Sequence, residues 1–265
     1  MDEKYQVNMA KQGVQTTVKG QKTKGREYLE ALFTAVIVAF TLRAFVIEAY
    51  KIPSKSMVPT LMVGDHIFVN KFTYGIRIPF TKKWIARFKP PQRGDVIVFK
   101  YPKDESKDFI KRVVGLPGDT IKIDGEDVLI NGEKVAKVPI TVSGQDPSNK
   151  RELLLNPVSD FPDAEKFKEI PFSPEWQEFH YFLERMGNHT HVKQQNGEEY
   201  FSGSTYVVPP DHLFCMGDNR DNSDDSRHWL FVPMENLEGR AMFIWLSWDY
   251  DQGWLRFDRF GKWVE

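Results

Sequence analysis

From Leu29 to Ile47 the chain reads LEALFTAVIVAFTLRAFVI, and no other feature restricts its architecture as strongly. As a helix rising about 1.5 Å per residue it would extend roughly 28 Å, close to the hydrocarbon thickness of a bilayer. Glu30 lies at one end, and Arg43 lies one turn from the other, where its long stem can snorkel outward. A buried helix of a soluble domain is the competing reading, and Arg43 favours it. A cleaved export leader needs a short apolar stretch and a small-x-small exit, and Glu48-Ala-Tyr-Lys51 is a poor one. Residues 28–48 therefore read as an uncleaved transmembrane anchor. Lys11, Lys19, Lys22, Lys24 and Arg26 precede it, and only Lys51 and Lys55 follow closely. That asymmetry places the N-terminus in the cytoplasm, with the rest of the chain on the outer, periplasmic or extracellular, side of the cytoplasmic membrane.

The anchor runs directly into Ile52-Pro-Ser-Lys-Ser-Met-Val-Pro-Thr-Leu61. Two prolines forbid a helix interior or a central strand here, so the expectation is an extended, stiff segment presenting Ser54 and Ser56 beside a membrane surface. The composition of the 265 residues, 41% hydrophobic and 28% charged, supports a folded core. A net charge of −1 gives no support to nucleic-acid binding. Cys215 is the single cysteine, which excludes an intrachain disulfide; set in Leu213-Phe-Cys-Met216, it reads as a buried apolar side chain.

Beyond the anchor the pattern becomes short and strand-like. Asp95–Tyr101 and Phe109–Val114 are β-branched or aromatic runs bounded by turn residues. Ile121–Val135 carries Asp124-Gly125 and Asn131-Gly132, tight-turn dipeptides that predict consecutive hairpins. Thr205–Val208, His212–Met216 and Arg240–Trp248 supply later strands. The stretch 134–204 is more polar and less periodic, and Phe161–Phe182 within it takes no assignment. The predicted fold class is mainly β. A cytoplasmic tail (1–27) and the anchor (28–48) precede an antiparallel β domain made of 49–133 and 205–265, interrupted by a smaller inserted lobe (134–204). Trp245–Trp263 holds four of the seven tryptophans among several cations, a pattern that fits either a membrane interface or ordinary strand packing.

A serine attacks only when a base removes its proton. Neither G-x-S-x-G nor H-E-x-x-H occurs. His189-Thr-His191 reads as a solvated pair in a polar loop rather than a metal site. Gly115-Leu-Pro-Gly-Asp119 lacks the Gly-Lys-Ser/Thr of a phosphate cradle, and Asp218–Ser226 fits a calcium loop in neither available register. No metal and no cofactor are expected. Lys111 remains, on a predicted strand among apolar neighbours. A free lysine is only about 0.04% neutral at pH 7, but burial lowers such a pKa by ~3–5 units. A buried Ser–Lys pair is therefore chemically adequate, although a strand lysine read alone is usually a solvated surface charge.

Four segments then resemble the bacterial type I signal peptidases, membrane-anchored Ser–Lys endopeptidases. They are Ile52–Leu61, Gly64-Asp65, Phe109–Asp119 and Met216-Gly-Asp-Asn-Arg-Asp-Asn-Ser-Asp-Asp-Ser-Arg-His-Trp229, in the family's order after an anchor. The resemblance covers most of 28–125 and 205–248. It implies Ser56 as nucleophile and Lys111 as general base, with the Ser54 hydroxyl and the Ser56 N–H forming the oxyanion hole. It further implies that Ser223 orients the lysine ammonium and that Asp225 and Arg227 form a neighbouring ion pair. Gly217 would let the backbone pass close to the lysine. Tyr50, Ile52 and Pro53 on one side and Asp108, Phe109 and Ile110 on the other would border an extended substrate, the small-x-small end of a signal peptide. Expected partners are thus exported preproteins and membrane lipid, with the protein acting as a monomer. The chain departs from the family pattern at Leu230, where glycine is common, and at His228, where an aromatic residue is common. A Ser–Lys self-cleaving regulator and an inactive anchored peptide-binding domain are the rival readings.

Overall fold

A computed structural model describes residues 24–78, 81–142, 153–154, 161, 167, 179–197, 201–250 and 252–264. The chain divides into two compact units, Met1–Phe40 and Thr41–Glu265. Helix α1 occupies Lys24–Phe45. Its apolar side chains Leu29, Leu32, Phe33, Val36, Ile37, Val38 and Phe40 are all exposed. Among the described residues no helix is long and apolar enough to cross a membrane. The helix also stops short of the expected boundary. Ile47 and Glu48 open a strand instead, because they pair with Asn70 and Val69. Of the expected tail, residues 1–23 lie outside the described residues.

The second unit is mainly β and antiparallel. Its strands are, in chain order, β1 (Ile47–Lys51), β2 (Asp65–Asn70), β3 (Gly75–Arg77), β4 (Trp84–Arg87), β5 (Val96–Tyr101) and β6 (Asp104–Gly115). They continue with β7 (Thr120–Asp124), β8 (Asp127–Ile130), β9 (Glu133–Lys134), β10 (Lys137–Val142), β11 (Leu153–Leu154) and β12 (His180–Met186). The last are β13 (His189–Gln195), β14 (Thr205–Val207), β15 (His212–Met216), β16 (Val232–Pro233), β17 (Leu237–Asp249) and β18 (Trp254–Leu255). The main sheet runs β1-β2-β17-β5-β6-β15-β16, with β18 added beside β17. A second sheet, β14-β7-β8-β9, holds the expected hairpins. Its turns place Gly125, Asn131 and Gly132 at φ of 58°, 55° and 86°, the left-handed conformations for which those dipeptides are suited. A third sheet, β11-β10-β12-β13, arises within 134–204. Most of Phe161–Phe182 lies outside the described residues, and its end enters β12.

Strand β5 shows how the middle of the main sheet is covered on both faces. Val96 and Val98 join one core cluster with Ile52, Met57, Leu61, Ile67, Val69, Ile110 and Ile244. Ile97 and Phe99 point the other way, into a cluster with Val113, Leu213, Cys215, Trp229 and Val232. Period-two alternation thus feeds two cores from one apolar run. Cys215 is fully buried, as its apolar neighbours indicate, and burial pushes its thiol pKa up.

The C-terminal tail both packs and exposes its aromatics. Val264 reaches the core, while Trp245, Trp248, Trp254, Phe257 and Trp263 remain exposed. The tail is pinned by Asp65, a fully buried carboxylate at the start of β2. Asp65 accepts from Arg259 at 2.9 Å (Nε) and 2.5 Å (a terminal nitrogen), and from the Ser247 hydroxyl at 2.6 Å. Arg259 also donates to the Thr60 carbonyl at 3.0 Å, which ties the tail to the segment carrying Ser56. Removing one partner of a buried pair strands the other charge, at about 3–5 kcal/mol. Asp65→Ala is accordingly expected to lose stability on that scale in urea denaturation, whereas Asp258→Ala, a change at a neighbouring exposed residue, leaves the midpoint unmoved.

Candidate active site

The proline-bearing segment does not stay extended as expected. It leaves β1 extended as far as Pro53 and then turns. The Val58 N–H donates to the Lys55 carbonyl at 3.1 Å and the Leu61 N–H to the Met57 carbonyl at 2.9 Å. Met57, Val58 and Leu61 are buried and anchor the turn in the core. The prolines fix φ values that suit a turn as well as an extended chain, and burial of these three side chains decides between them. Ser56 stands at the beginning of this turn, 7% exposed.

Lys111 comes from the middle of β6, where the side chains of Ile110, Arg112, Val113 and Val114 are also buried. Its Nζ lies 2.6 Å from Ser56 Oγ. Lys111 is itself 4% exposed, and burial lowers its pKa to about 8, with the carboxylates of Asp225, Asp224 and Asp218 resisting the shift. A charged amine donates to the hydroxyl; a neutral one can accept the hydroxyl proton through the same contact. Near pH 8 both forms are populated, the condition a general base requires. Ser54 is exposed, and its hydroxyl lies 3.3 Å from that of Ser56.

The loop after β15 frames this pair. Asp225 caps the short helix α2 (Ser226–Trp229) and binds Arg227 through two bonds, 2.9 Å from Nε and 2.8 Å from a terminal nitrogen. It also accepts from the Gly217 N–H at 3.0 Å. Burial opposes ionisation of Asp225, but Arg227 outweighs it and the carboxyl pKa is lowered. A Cβ added to Gly217 would overlap the Ser223 hydroxyl and the Ser56 carbonyl. The closest approach of this glycine is to those two groups. Ser223 Oγ is buried and faces the Asp225 carboxylate, whose ionised form it favours, without a close hydrogen bond among the described residues. The bond to the lysine ammonium implied by the resemblance is not made; among the described residues the amine hydrogen-bonds Ser56 instead.

Two strand edges border the pair. Strand β1 is the end of the sheet and pairs with β2 alone. Strand β6 pairs with β5 along Asp104–Arg112, but β15 covers its other edge only at Arg112, Val113 and Gly115. The outer edge at Asp108, Phe109 and Ile110 therefore has no strand partner among the described residues. Tyr50 packs against the core cluster that contains Ile52 and Ile110, and Pro53 is exposed.

The chain matches the model of the family described as "Signal peptidase, peptidase S26" over residues 25–248. It belongs to that signal peptidase family. It is 38% identical over 235 residues to "Signal peptidase I" of Pseudomonas fluorescens, spanning 84% of this chain and 72% of that one. It is also 38% identical over 256 residues to "Signal peptidase I" of Buchnera aphidicola subsp. Schizaphis graminum, covering 88% and 80%. A member of the S26 signal peptidases is an enzyme that hydrolyses peptide bonds, a serine endopeptidase acting on signal peptides.

Some residues of this S26 site escaped sequence reasoning. His189 and His191 sit on β13, not in a solvated loop. His189 Nε2 lies 3.7 Å from Asp95, and His191 is buried with its Nε2 3.3 Å from Glu184. Their separation by two on a strand puts both on one face, which a loop reading could not show. Arg112 is fully buried and holds Asp218 through two bonds at 2.8 and 2.7 Å. Leu230, at φ 77° and ψ −114°, occupies the backbone region where glycine is at home. The departure from the family pattern thus leaves the turn intact and puts a leucine into it. Two outcomes follow. Gly217→Ala is expected to remove activity, because the added methyl meets the Ser56 carbonyl, and this is measured as cleavage by protein that still melts cooperatively. Leu230→Gly, which relieves roughly 1–2 kcal/mol of backbone strain against about 0.5–1 kcal/mol of lost chain entropy, is expected to raise the melting temperature slightly with activity unchanged.

Proposed function

We propose that Ser56 is the nucleophile and Lys111 the general base of signal-peptide cleavage. The observation that carries this reading is the 2.6 Å contact between a buried amine and a buried hydroxyl beside two unpaired strand edges. An exported preprotein lies extended between β1 and the Asp108–Ile110 edge, gaining main-chain hydrogen bonds as an added strand. Tyr50, Ile52 and Pro53 border one side, and the small-x-small residues before the cut face the apolar wall shared by Ile52 and Ile110.

Neutral Lys111 takes the Ser56 hydroxyl proton while Oγ attacks the scissile carbonyl carbon. The developing oxyanion receives the Ser56 N–H and the Ser54 hydroxyl, donors worth about 2.7–4 kcal/mol each in comparable sites. The C–N bond breaks, and the Lys111 ammonium gives its proton to the departing amine. Water then enters; Lys111, neutral again, removes its proton, and the acyl ester at Ser56 is hydrolysed. Gly217, Asp225 and Arg227 keep the loop in place, and Ser223 closes the site behind Lys111.

We further propose that the helical run Leu29–Phe45 is an anchor in the cytoplasmic membrane, with the N-terminus inside and a monomeric catalytic unit on the outer side in contact with lipid. The run Leu29–Ile47, the exposed apolar side chains of α1 and the basic residues ahead of it support this. The 134–204 segment is read as an inserted lobe. The inactive peptide-binding alternative required Ser56 and Lys111 to lie too far apart to hydrogen-bond, and at 2.6 Å they do not. The self-cleaving regulator has no counterpart for the apolar N-terminal run.

In detergent with a signal-peptide-bearing preprotein, Ser56→Ala and Lys111→Ala are each expected to abolish cleavage while circular dichroism stays unchanged. Retained cleavage in either refutes the assignment. The active form is the unprotonated amine, and its pKa is lowered to about 8. Activity is therefore expected to fall on acidification through about pH 8 and to level off above it, up to the next ionisation. A wild-type profile flat between pH 6 and pH 9 contradicts Lys111 as the base.

A further inference from the structure

A second buried charge cluster lies apart from the Ser56–Lys111 contact. Lys111 and Arg112 are consecutive on β6, so their side chains leave on opposite faces. On the Arg112 side, Asp218 accepts from the guanidinium, and His191 Nε2 stands 3.7 Å from the same carboxylate. His191 also approaches Glu184 of β12 at 3.3 Å. Glu184 is 1% exposed and binds both terminal nitrogens of Arg220, one at 3.1 Å and the other closer; Lys193 Nζ lies 3.3 Å away. Burial disfavours the charge on Glu184, but Arg220, Lys193 and His191 outweigh it and hold its carboxyl well below the usual range. Burial lowers Lys193 to about 7, against the pull of Glu184. This carboxylate is committed to its partners, yet it makes no hydrogen bond or ion pair with Ser56 or Lys111.

Its reach to the site runs through Arg220. Arg220 Nε donates to the Gly217 carbonyl at 3.2 Å, and the Arg220 carbonyl accepts from Arg227. The same turn is tied to the nucleophile: the Asn219 N–H donates to the Ser56 carbonyl at 3.1 Å and Asn219 Nδ2 to the Lys55 carbonyl at 3.2 Å. On its other side it is tied to the sheet that carries Glu184. The Gln194 N–H donates to the Asp218 carbonyl at 2.9 Å and the Asn196 N–H to the Asp221 carboxylate at 2.7 Å. The turn 217–222 is thus clamped between Ser56 and β13, and the Glu184–Arg220 pair is its one buried ionic tie to β12 among the described residues.

We propose that Glu184 is a positioning residue for the Ser56–Lys111 pair: by fixing Arg220 it holds the turn 217–222 against the Ser56 backbone, which makes the β10–β13 sheet a working part of the active site. The inference rests on the dyad reading above. Asp218 lies in this turn, and Asp224 and Asp225 follow it directly, so a shifted turn changes both the Lys111–Ser56 geometry and the carboxylates that face the amine. A displacement on the scale of 1 Å costs about 10²-fold in rate.

Glu184→Gln keeps the shape and removes the charge. In the full-length protein with a preprotein substrate it is expected to lower kcat by about 10²-fold, to leave KM unchanged and to displace the acidic limb of the pH–rate profile. Glu184→Asp is expected to recover part of the loss, and Glu184→Gln combined with Arg220→Gln to be no worse than either alone, as for two members of one device. A lowered melting temperature with wild-type kcat and an unmoved acidic limb in the folded fraction overturns the proposal. If Glu184→Gln fails to fold, Glu184→Asp and Arg220→Lys, assayed below their melting temperatures, are held to the same two readouts. Ser56→Ala is assayed alongside. Cleavage by that variant brings down the dyad reading and this inference with it. An inactive Ser56→Ala together with an undisturbed Glu184→Gln brings down this inference alone.

Discussion

In the proposed mechanism everything depends on keeping one amine dry. Lys111 can act as a base only where water does not stabilise its charge, and at 4% exposure it is in such a place. That requirement explains the surroundings. β6 must run through the interior, so both faces of the main sheet carry a core, and β5 beside it is apolar on both sides. A cation buried in this way would ordinarily be neutralised by a close carboxylate. Here Asp225 engages Arg227, Asp218 engages Arg112, and among the described residues the amine meets the Ser56 hydroxyl and the face of Phe109. The acidic run Asp218–Asp225 thus surrounds the lysine without pairing with it.

The same logic accounts for the buried arginines. Arg112, Arg220, Arg227 and Arg259 each hold backbone or carboxylate at a point where a turn must stay put. Arginine suits this because it stays charged and offers several donors in a fixed fork. Lysine, whose charge can be lost, stands beside Ser56, where the proposed mechanism needs that loss. The two sides of the Gly217 region, the Ser56 turn and β13, are joined by main-chain bonds, so the active site is assembled from distant parts of the chain.

Much of this was legible in the sequence. Alternation and turn dipeptides located β5, β7, β8 and β15, because those elements carry their instructions locally. The resemblance singled out Ser56 and Lys111, which the structure brings within hydrogen-bonding distance. Non-local features were not legible. The Ile47–Glu48 boundary is set by pairing with β2, and the turn at Ser56 by the burial of Met57, Val58 and Leu61. His191 looked like a solvated loop residue and Glu184 and Lys193 drew no reading, since nothing near them in the chain announces Arg220 or Asp218. Ser223 was expected to meet the lysine and does not.

The neighbours Lys111 and Arg112 make the chemistry hostage to the parity of a strand. A slide of β6 by a single position would swing the guanidinium toward Ser56 and the amine toward Asp218. The sheet would still form, but a group that never yields its proton would face the hydroxyl. The unbroken pairing of Val96–Lys100 with Arg112–Asp108, in which Ile97 faces Lys111, holds the strand against that slide. Five consecutive cross-strand pairs therefore act as the frame-setter on which the proposed chemistry rests.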